Sequence, residues 1–310
     1  MMASQDLLMD NWRLLPDDRR RFIFEQLTRY FLSPLLAVDA LVPVSVSYFG
    51  QVLQTFDALI GGEWLRFVPG QRHVKLGIET PLPTELAGLA ESLGLSSQEM
   101  RDQLSAPAVV DLPPMLVARS SVASDEEVIG QINLTTQVFR GNHFAYVPYK
   151  PTVLSLIEPR TTSLDPAAQE PWPAVLTAGQ VVLRLASSHH YQVALKHRWT
   201  KAALVKQLGG FGFALPTARD YEWLLGGGFL QLFAWGNAVP ETLPAYLPNR
   251  FGLTFPTQRS SAELTQGDEV AAAPYQKGDS LLKLSPFYRA AVAQPFEQQR
   301  YRKLVRIELN

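Results

Sequence analysis

The run Leu215-Pro216-Thr217-Ala218-Arg219-Asp220-Tyr221-Glu222-Trp223, followed by Gly226-Gly227-Gly228 and then Phe233-Ala234-Trp235-Gly236-Asn237, carries a complete set of helix signals. Pro216 fixes the backbone just ahead of the helix. Thr217 can accept from first-turn amides, and Asp220, three residues on, stands at the return position of a capping box. Tyr221 and Trp223 supply aromatic bulk for a core. The glycines then let the backbone leave the helix through positive φ. A helix from Thr217 to Leu225 is predicted.

Outward from this helix, the spacing predicts another from Thr200 through Leu204 and Leu208 to Gly209-Gly210, and a buried strand over Val181 to Leu185. Tyr301 to Leu309 reads as a closing strand around Leu304, Arg306 and Ile307. Between Asn142 and Trp172, prolines at 148, 151, 159, 166 and 171 predict an ordered but irregular loop that buries Phe144, Tyr146, Val153 and Ile157. Ser124 with Glu127 forms a capping-box pattern over Val128, Ile129 and Ile132, which predicts a helix. Val109 to Val122 has strand character, broken at Pro113-Pro114.

Toward the amino terminus, Trp64 to Gly70 and His73 to Gly77 read as two short strands around a Pro-Gly turn. A helical insertion at about 80–107 follows, with Thr84 capping Leu86, Leu89 and Leu93, and a Ser96/Glu99 capping box over Met100 and Leu104. Residues 16–61 read as helical. Asp17 or Asp18 caps a helix carrying Ile23, Leu27, Tyr30 and Phe31. Phe49, Val52, Leu53, Phe56, Leu59 and Ile60 fall on one face of a second, ended by Gly61-Gly62. The expected organisation is a helical appendage over 1–61 and a larger unit over 62–310. Phe49, Phe56 and Ile60 form an expected docking stripe for a partner.

The chain has 310 residues, 46% apolar and 18% charged, which suits a packed globule. Lys plus Arg number 28 against 29 for Asp plus Glu, a net charge of −1, so no nucleic-acid partner is expected. Arg19-Arg20-Arg21 adjoins Asp17 and Asp18 and reads as a solvated helix face. Met1 to Asp10 lacks the basic lead and apolar run of a signal peptide, and the apolar stretch Leu35 to Val46 is too short to span a membrane. A cytoplasmic location is the expectation. There is no cysteine, which excludes disulfides, thiolate metal sites and cysteine nucleophiles together.

The segment from Leu215 to Asn237 resembles the Leu-Pro-Thr-Glu-x-Glu-Trp-Glu-Tyr helix and Trp-Gly-Asn/Asp turn of the formylglycine-generating-enzyme (sulfatase-modifying-factor) family. Other pieces occur in family order. Phe67-Val68-Pro69-Gly70 through Leu76-Gly77 is similar to the family's opening strand, Leu112 to Arg119 with Ser121 to Ser124 to its strand into a Val-Thr-Asn helix, and Asn249-Arg250-Phe251-Gly252-Leu253 to its Asn-x-Phe-Gly-Leu segment. The resemblance covers about residues 63–310. It implies an α+β, C-type-lectin-like fold, loop-rich, with little regular strand.

The chain departs from the family where chemistry would sit. The family's oxidases use a cysteine pair, absent here, and the related sulfoxide synthases use iron-binding histidines on an extra helical domain, whereas the amino-terminal stretch here has none. Where Gly-Asn-Val-Trp-Glu-Trp is expected, the sequence reads Ser260-Ser261-Ala262-Glu263-Leu264-Thr265. The expectation is therefore a non-catalytic binding or interaction protein with a protein partner and no resident cofactor. Trp235, Asn237, Tyr246, Asn249, Arg250 and Phe251 are its candidate ligand-binding residues, with Phe255 nearby. The alternative is a non-haem metal-dependent oxidase or sulfoxide-synthase relative whose ligands include His189, His190 and His197, the last two sharing a face if helical. Calcium at Asp268, Glu269 or Asp279 is a further candidate.

Overall fold

The computed structural model describes residues 4–79, 83–158, 171–289 and 294–308. Helices α1 (Met9–Leu14) and α2 (Asp17–Phe31) open the chain. Asp17 and Asp18 lie in the first turn of α2, where the helix dipole favours acids, and Ile23, Phe24 and Leu27 form its buried stripe. The arginine triplet is ion-paired: Arg19 to Asp6, Arg20 to Asp17 and Arg21 to Glu25.

The second expected helix is a hairpin instead. Val38–Tyr48 (β1) and Gln51–Ile60 (β2) pair antiparallel around Phe49-Gly50, where φ is 45° and 72°. Two consecutive positive φ angles match the twist of a two-residue hairpin loop. The helical signal misleads because β2 is covered on both faces. Thr55, Phe56, Asp57 and Ala58 are all buried, and Phe56 stacks on Phe24 at 5.3 Å, so period-two alternation is erased. Residues 1–61 are thus not an all-helical appendage, since β2 is hydrogen-bonded to Glu63–Val68 (β3). Nor do Phe56 and Ile60 form a docking stripe. Both lie in the core, and only Phe49 is exposed.

Gln71–Leu76 (β4) leads into the expected insertion, α3 (Thr84–Ser92) and α4 (Ser97–Asp102), after which Ala108–Leu112 (β5) pairs back onto β4. Residues 80–82 of that insertion lie outside the described residues. Ser96 and Glu99 make both bonds of their capping box. Leu86, Leu89 and Met100 pack on Leu232, Phe233 and Phe287.

Met115–Ala118 (β6) and Val122–Ala123 (β7) precede Glu126–Asn133 (β8), a strand where a capped helix is expected. The Ser124 hydroxyl donates to the Phe296 carbonyl and Glu127 accepts from Gln207 Nε2 at 2.9 Å, so the capping-box residues serve long-range contacts instead. After Phe139–Gly141 (β9), the described part of the proline-rich span forms two short helices, α5 (His143–Tyr146) and α6 (Lys150–Leu156), rather than irregular loop. Tyr146 stacks on Phe139 at 3.9 Å, and Val153 and Ile157 are buried, but Phe144 is exposed. Pro159 and Pro166 lie outside the described residues.

Val175–Ala178 (β10), Val181–Ser187 (β11) and His190–Lys196 (β12) come next, then helices α7 (Lys201–Gly210) and α8 (Ala218–Gly226). In α8 the Thr217–Asp220 capping box is complete, and Gly227, at φ 66°, donates its N–H to Trp223 O at 2.8 Å. Glu263–Leu264 (β13), Val270–Ala271 (β14), Arg300–Tyr301 (β15) and Leu304–Arg306 (β16) complete the strands. Leu309, at the end of the expected closing strand, lies outside the described residues.

The strands form one sheet in the order β1-β2-β3-β6-β16 and a second in the order β10-β11-β12-β8-β9. A small mixed sheet, β14-β13-β15-β7, includes the parallel pair β13 and β15. The architecture is α+β with mixed sheets and an amino-terminal helical stretch. Its first two-thirds carry more regular strand than the resemblance implies, whereas the stretch between α8 and β15 is mostly loop.

Candidate functional site

In the register of β8 and β12, Gln192 faces Gln131 and His190 faces Asn133, so these polar side chains share one face of the second sheet. The amides of Gln131 and Gln192 both donate to the Gly62 carbonyl, at 3.1 and 2.9 Å. Gly62 belongs to the turn into β3, and a Cβ placed on it would lie 2.4 Å from the carbonyl carbon of Gly130 in β8. At this crossing the two five-stranded sheets touch backbone to backbone, and only glycine fits.

Two cavities share Gly62 and Gln131 as wall. The larger is an open cleft of about 500 Å³, with Trp64, Arg119, Ser120, Ser121, Arg184 and Tyr246 around it. The smaller, about 440 Å³, holds Asp39, Arg140 and His190. Burial pushes the Asp39 carboxyl above its ordinary range, with Arg140 opposing.

The cleft's charges are tied to the fold beneath it. Asp57 on β2 receives Arg66 Nε at 2.7 Å and Nη2 at 2.8 Å, a bidentate buried pair. Arg119 Nη1 reaches the same carboxylate at 3.2 Å, so one anion serves two guanidinium groups. Arg119 Nε is buried without a hydrogen-bond partner among the described residues. Arg184 forks onto Glu126 at 2.6 and 3.0 Å, and the Lys303 ammonium donates to Glu63. Arg300 Nε donates to Ser121 Oγ at 3.0 Å and Nη2 to the Ser121 carbonyl. Burial holds Arg300 below its ordinary pKa, against the pull of Glu263 and Glu126. A guanidinium has no capacity to accept a proton, so the Ser121 hydroxyl is not activated as a nucleophile through it. Its hydrogen must point away from Arg300. The cleft wall thus combines donors with two aromatic residues, Trp64 and Tyr246, which suits holding a ligand.

Of the six residues singled out in the sequence, Tyr246 lines this cleft and is 59% exposed. The others hold the fold. Asn249 donates to Leu224 O and Leu225 O at 2.5 and 3.1 Å and accepts from the amides of Phe251 and Leu253, both at 3.0 Å. Arg250 is buried, donates to Gly227 O at 2.7 Å and lies over the rings of Trp223, Phe229 and Phe251. Burial, with Arg13 adding to it, lowers its pKa to about 10. Phe251 and Phe255 are core residues. Trp235 stacks on Phe233 at 4.7 Å and donates to Ala238 O, while Asn237 Oδ1 accepts from Leu232 N at 2.7 Å, closing the turn.

The three histidines are dispersed. β12 is extended, so His190 and His197 do not share a helical face. His189 is exposed, His190 contacts Asn133 Nδ2 and Ser187 Oγ at 3.2 and 3.3 Å, and His197 stacks on Trp199 with Nε2 3.0 Å from Glu127. Asp268 and Glu269 are exposed, and Asp279 is engaged by the Gln276 amide and Lys283. Among the described residues, no group of three or more His, Cys, Asp or Glu is placed to hold a metal ion, and no helix is long and apolar enough to cross a membrane.

Sequence reading missed Trp64, Arg119, Arg184, Gln131 and Gln192 as site residues. A local signal points to two of them, Gln131 and Gln192, which alternate with Asn133 and His190 as polar residues at every second position of β8 and β12 and face one another across the pair; Trp64, Arg119 and Arg184 carry no such signal. No family model matches this chain, and no curated protein matches it.

Proposed function

We propose that this chain is a non-catalytic binding module on a formylglycine-generating-enzyme-like scaffold, and that its ligand site is the cleft between the two sheets. The observation that carries the reading is the convergence there of Trp64, Tyr246, Arg119 and the Ser120-Ser121 hydroxyls from separate elements onto one open cavity. The scaffold assignment is supported by the Thr217-capped helix with its left-handed Gly227, the Asn237-closed turn and the Asn249 knot, each formed where the family motif stands. Cysteine-dependent formylglycine-generating chemistry is excluded by composition.

Metal analysis separates this reading from a metal-dependent oxidase. Protein purified and then equilibrated with iron, copper or calcium should retain none of them stoichiometrically after desalting. Stoichiometric iron or copper that disappears in His190→Ala would replace the binding module with an oxidase.

A further inference from the structure

The cleft's charge balance specifies its ligand. Five cations, Arg66, Arg119, Arg184, Arg300 and Lys303, surround or underlie the cleft, against three carboxylates, Asp57, Glu63 and Glu126. Arg302 and Glu263 beneath them cancel. In a chain of net charge −1, this excess of positive charge is local.

Two guanidinium groups produce it. Arg119 shares a carboxylate that Arg66 already holds bidentately, and its side chain remains 38% exposed beside the cleft. Arg300 forms no ion pair among the described residues, where its side chain donates only to Ser121, and Glu263 and Glu126 act on it at longer range. Both guanidinium groups leave positive charge that a small oxyanion would neutralise, through charge-assisted hydrogen bonds that are stronger than neutral ones. Ser121 adds a donor, because its oxygen accepts from Arg300 and its proton is directed elsewhere. Trp64 and Tyr246 offer flat apolar surface beside these donors. A cleft of about 500 Å³ has room for a ring as well as the anion.

Resting on the binding-module reading, we infer that the cleft binds a small molecule joining an oxyanion, carboxylate or phosphate, to a sugar-sized ring, with Arg119 and Ser121 on the anion and Trp64 and Tyr246 on the ring. The probes are glucuronate and glucose 6-phosphate, which place different oxyanions on one ring, with glucose as the neutral ring and inorganic phosphate as the bare anion. Binding is followed by calorimetry and tryptophan fluorescence in low salt.

The ring oxyanions should bind saturably, at least about tenfold tighter than glucose or inorganic phosphate, and whichever of the two is tighter identifies carboxylate or phosphate as the preferred group. Arg119→Gln should weaken them by about tenfold or more. Because Arg119 also braces Asp57, Ser120→Glu is the companion variant. Ser120 is exposed, so a carboxylate there repels the anion without disturbing packing, and binding should fall at least as far. Equal affinity for glucose and the anions, unchanged affinity in Ser120→Glu, or no saturable binding of either oxyanion would overturn the inference. Failure of the reading beneath it is recognised separately, by stoichiometric transition metal on the same protein.

Discussion

Asn249 makes four hydrogen bonds to main-chain groups on both sides of it, joining the end of α8 to the loop that follows. Removing it leaves buried carbonyls and amides unpaired, and each such group costs about 1–3 kcal/mol. Asn249→Ala should therefore lose roughly 3 kcal/mol or more in urea unfolding, while binding in the cleft, measured on the folded fraction, should be unchanged. Tyr48 behaves differently because its role depends on protonation. Burial raises its pKa to about 12, with Arg250 opposing, and its hydroxyl donates to Ala234 O at 2.5 Å. The folded value lies above the unfolded one, so the neutral phenol contributes its full stability below about pH 10 and loses it as pH rises toward 12. Between these values wild type should lose stability more steeply than Tyr48→Phe, as read by denaturant midpoints across the alkaline range.

Elements differ in how openly the sequence declares them. Helix α8 was legible because its signals are local: the cap, the acid three residues on and the left-handed glycine all act within one helix. Strand β2 was not, since helix α2 and the neighbouring strands bury residues on both of its faces. Strand β8 was misread because Ser124 and Glu127 bond to segments far along the chain, which a local pattern cannot report. The cleft was illegible for the same reason, its walls coming from β3, β6, β8, β11, β12 and the loop at Tyr246. The glycines that bring those elements together make a sharp test. A Cβ at Gly130 would lie 2.3 Å from the Arg140 carbonyl oxygen and 2.4 Å from the Phe139 ring, so Gly130→Ala should destabilise by about 2–3 kcal/mol. Gly88, exposed within α3 with nothing within 4 Å of its Cβ position, should respond in the opposite direction, Gly88→Ala gaining roughly 0.5–1 kcal/mol. Thermal melts of the two variants read both signs.

For the whole molecule, a nearly neutral total charge conceals an uneven distribution. The positive excess beside the cleft is partly exposed, so added salt should weaken binding of glucuronate or glucose 6-phosphate steadily, whereas binding of a neutral ligand would hardly respond. Ligands are expected to enter between the two sheets and not at the Trp-Gly-Asn turn or the Asn249 loop, where the sequence alone would have placed them. A crystal structure of the protein soaked in the tighter-binding of the two ring oxyanions tests this most directly. Density for the oxyanion on Arg119 and Ser121, with its ring against Trp64 or Tyr246, is the predicted result; density at Trp235, Asn237 or Arg250 with the cleft unfilled would contradict it.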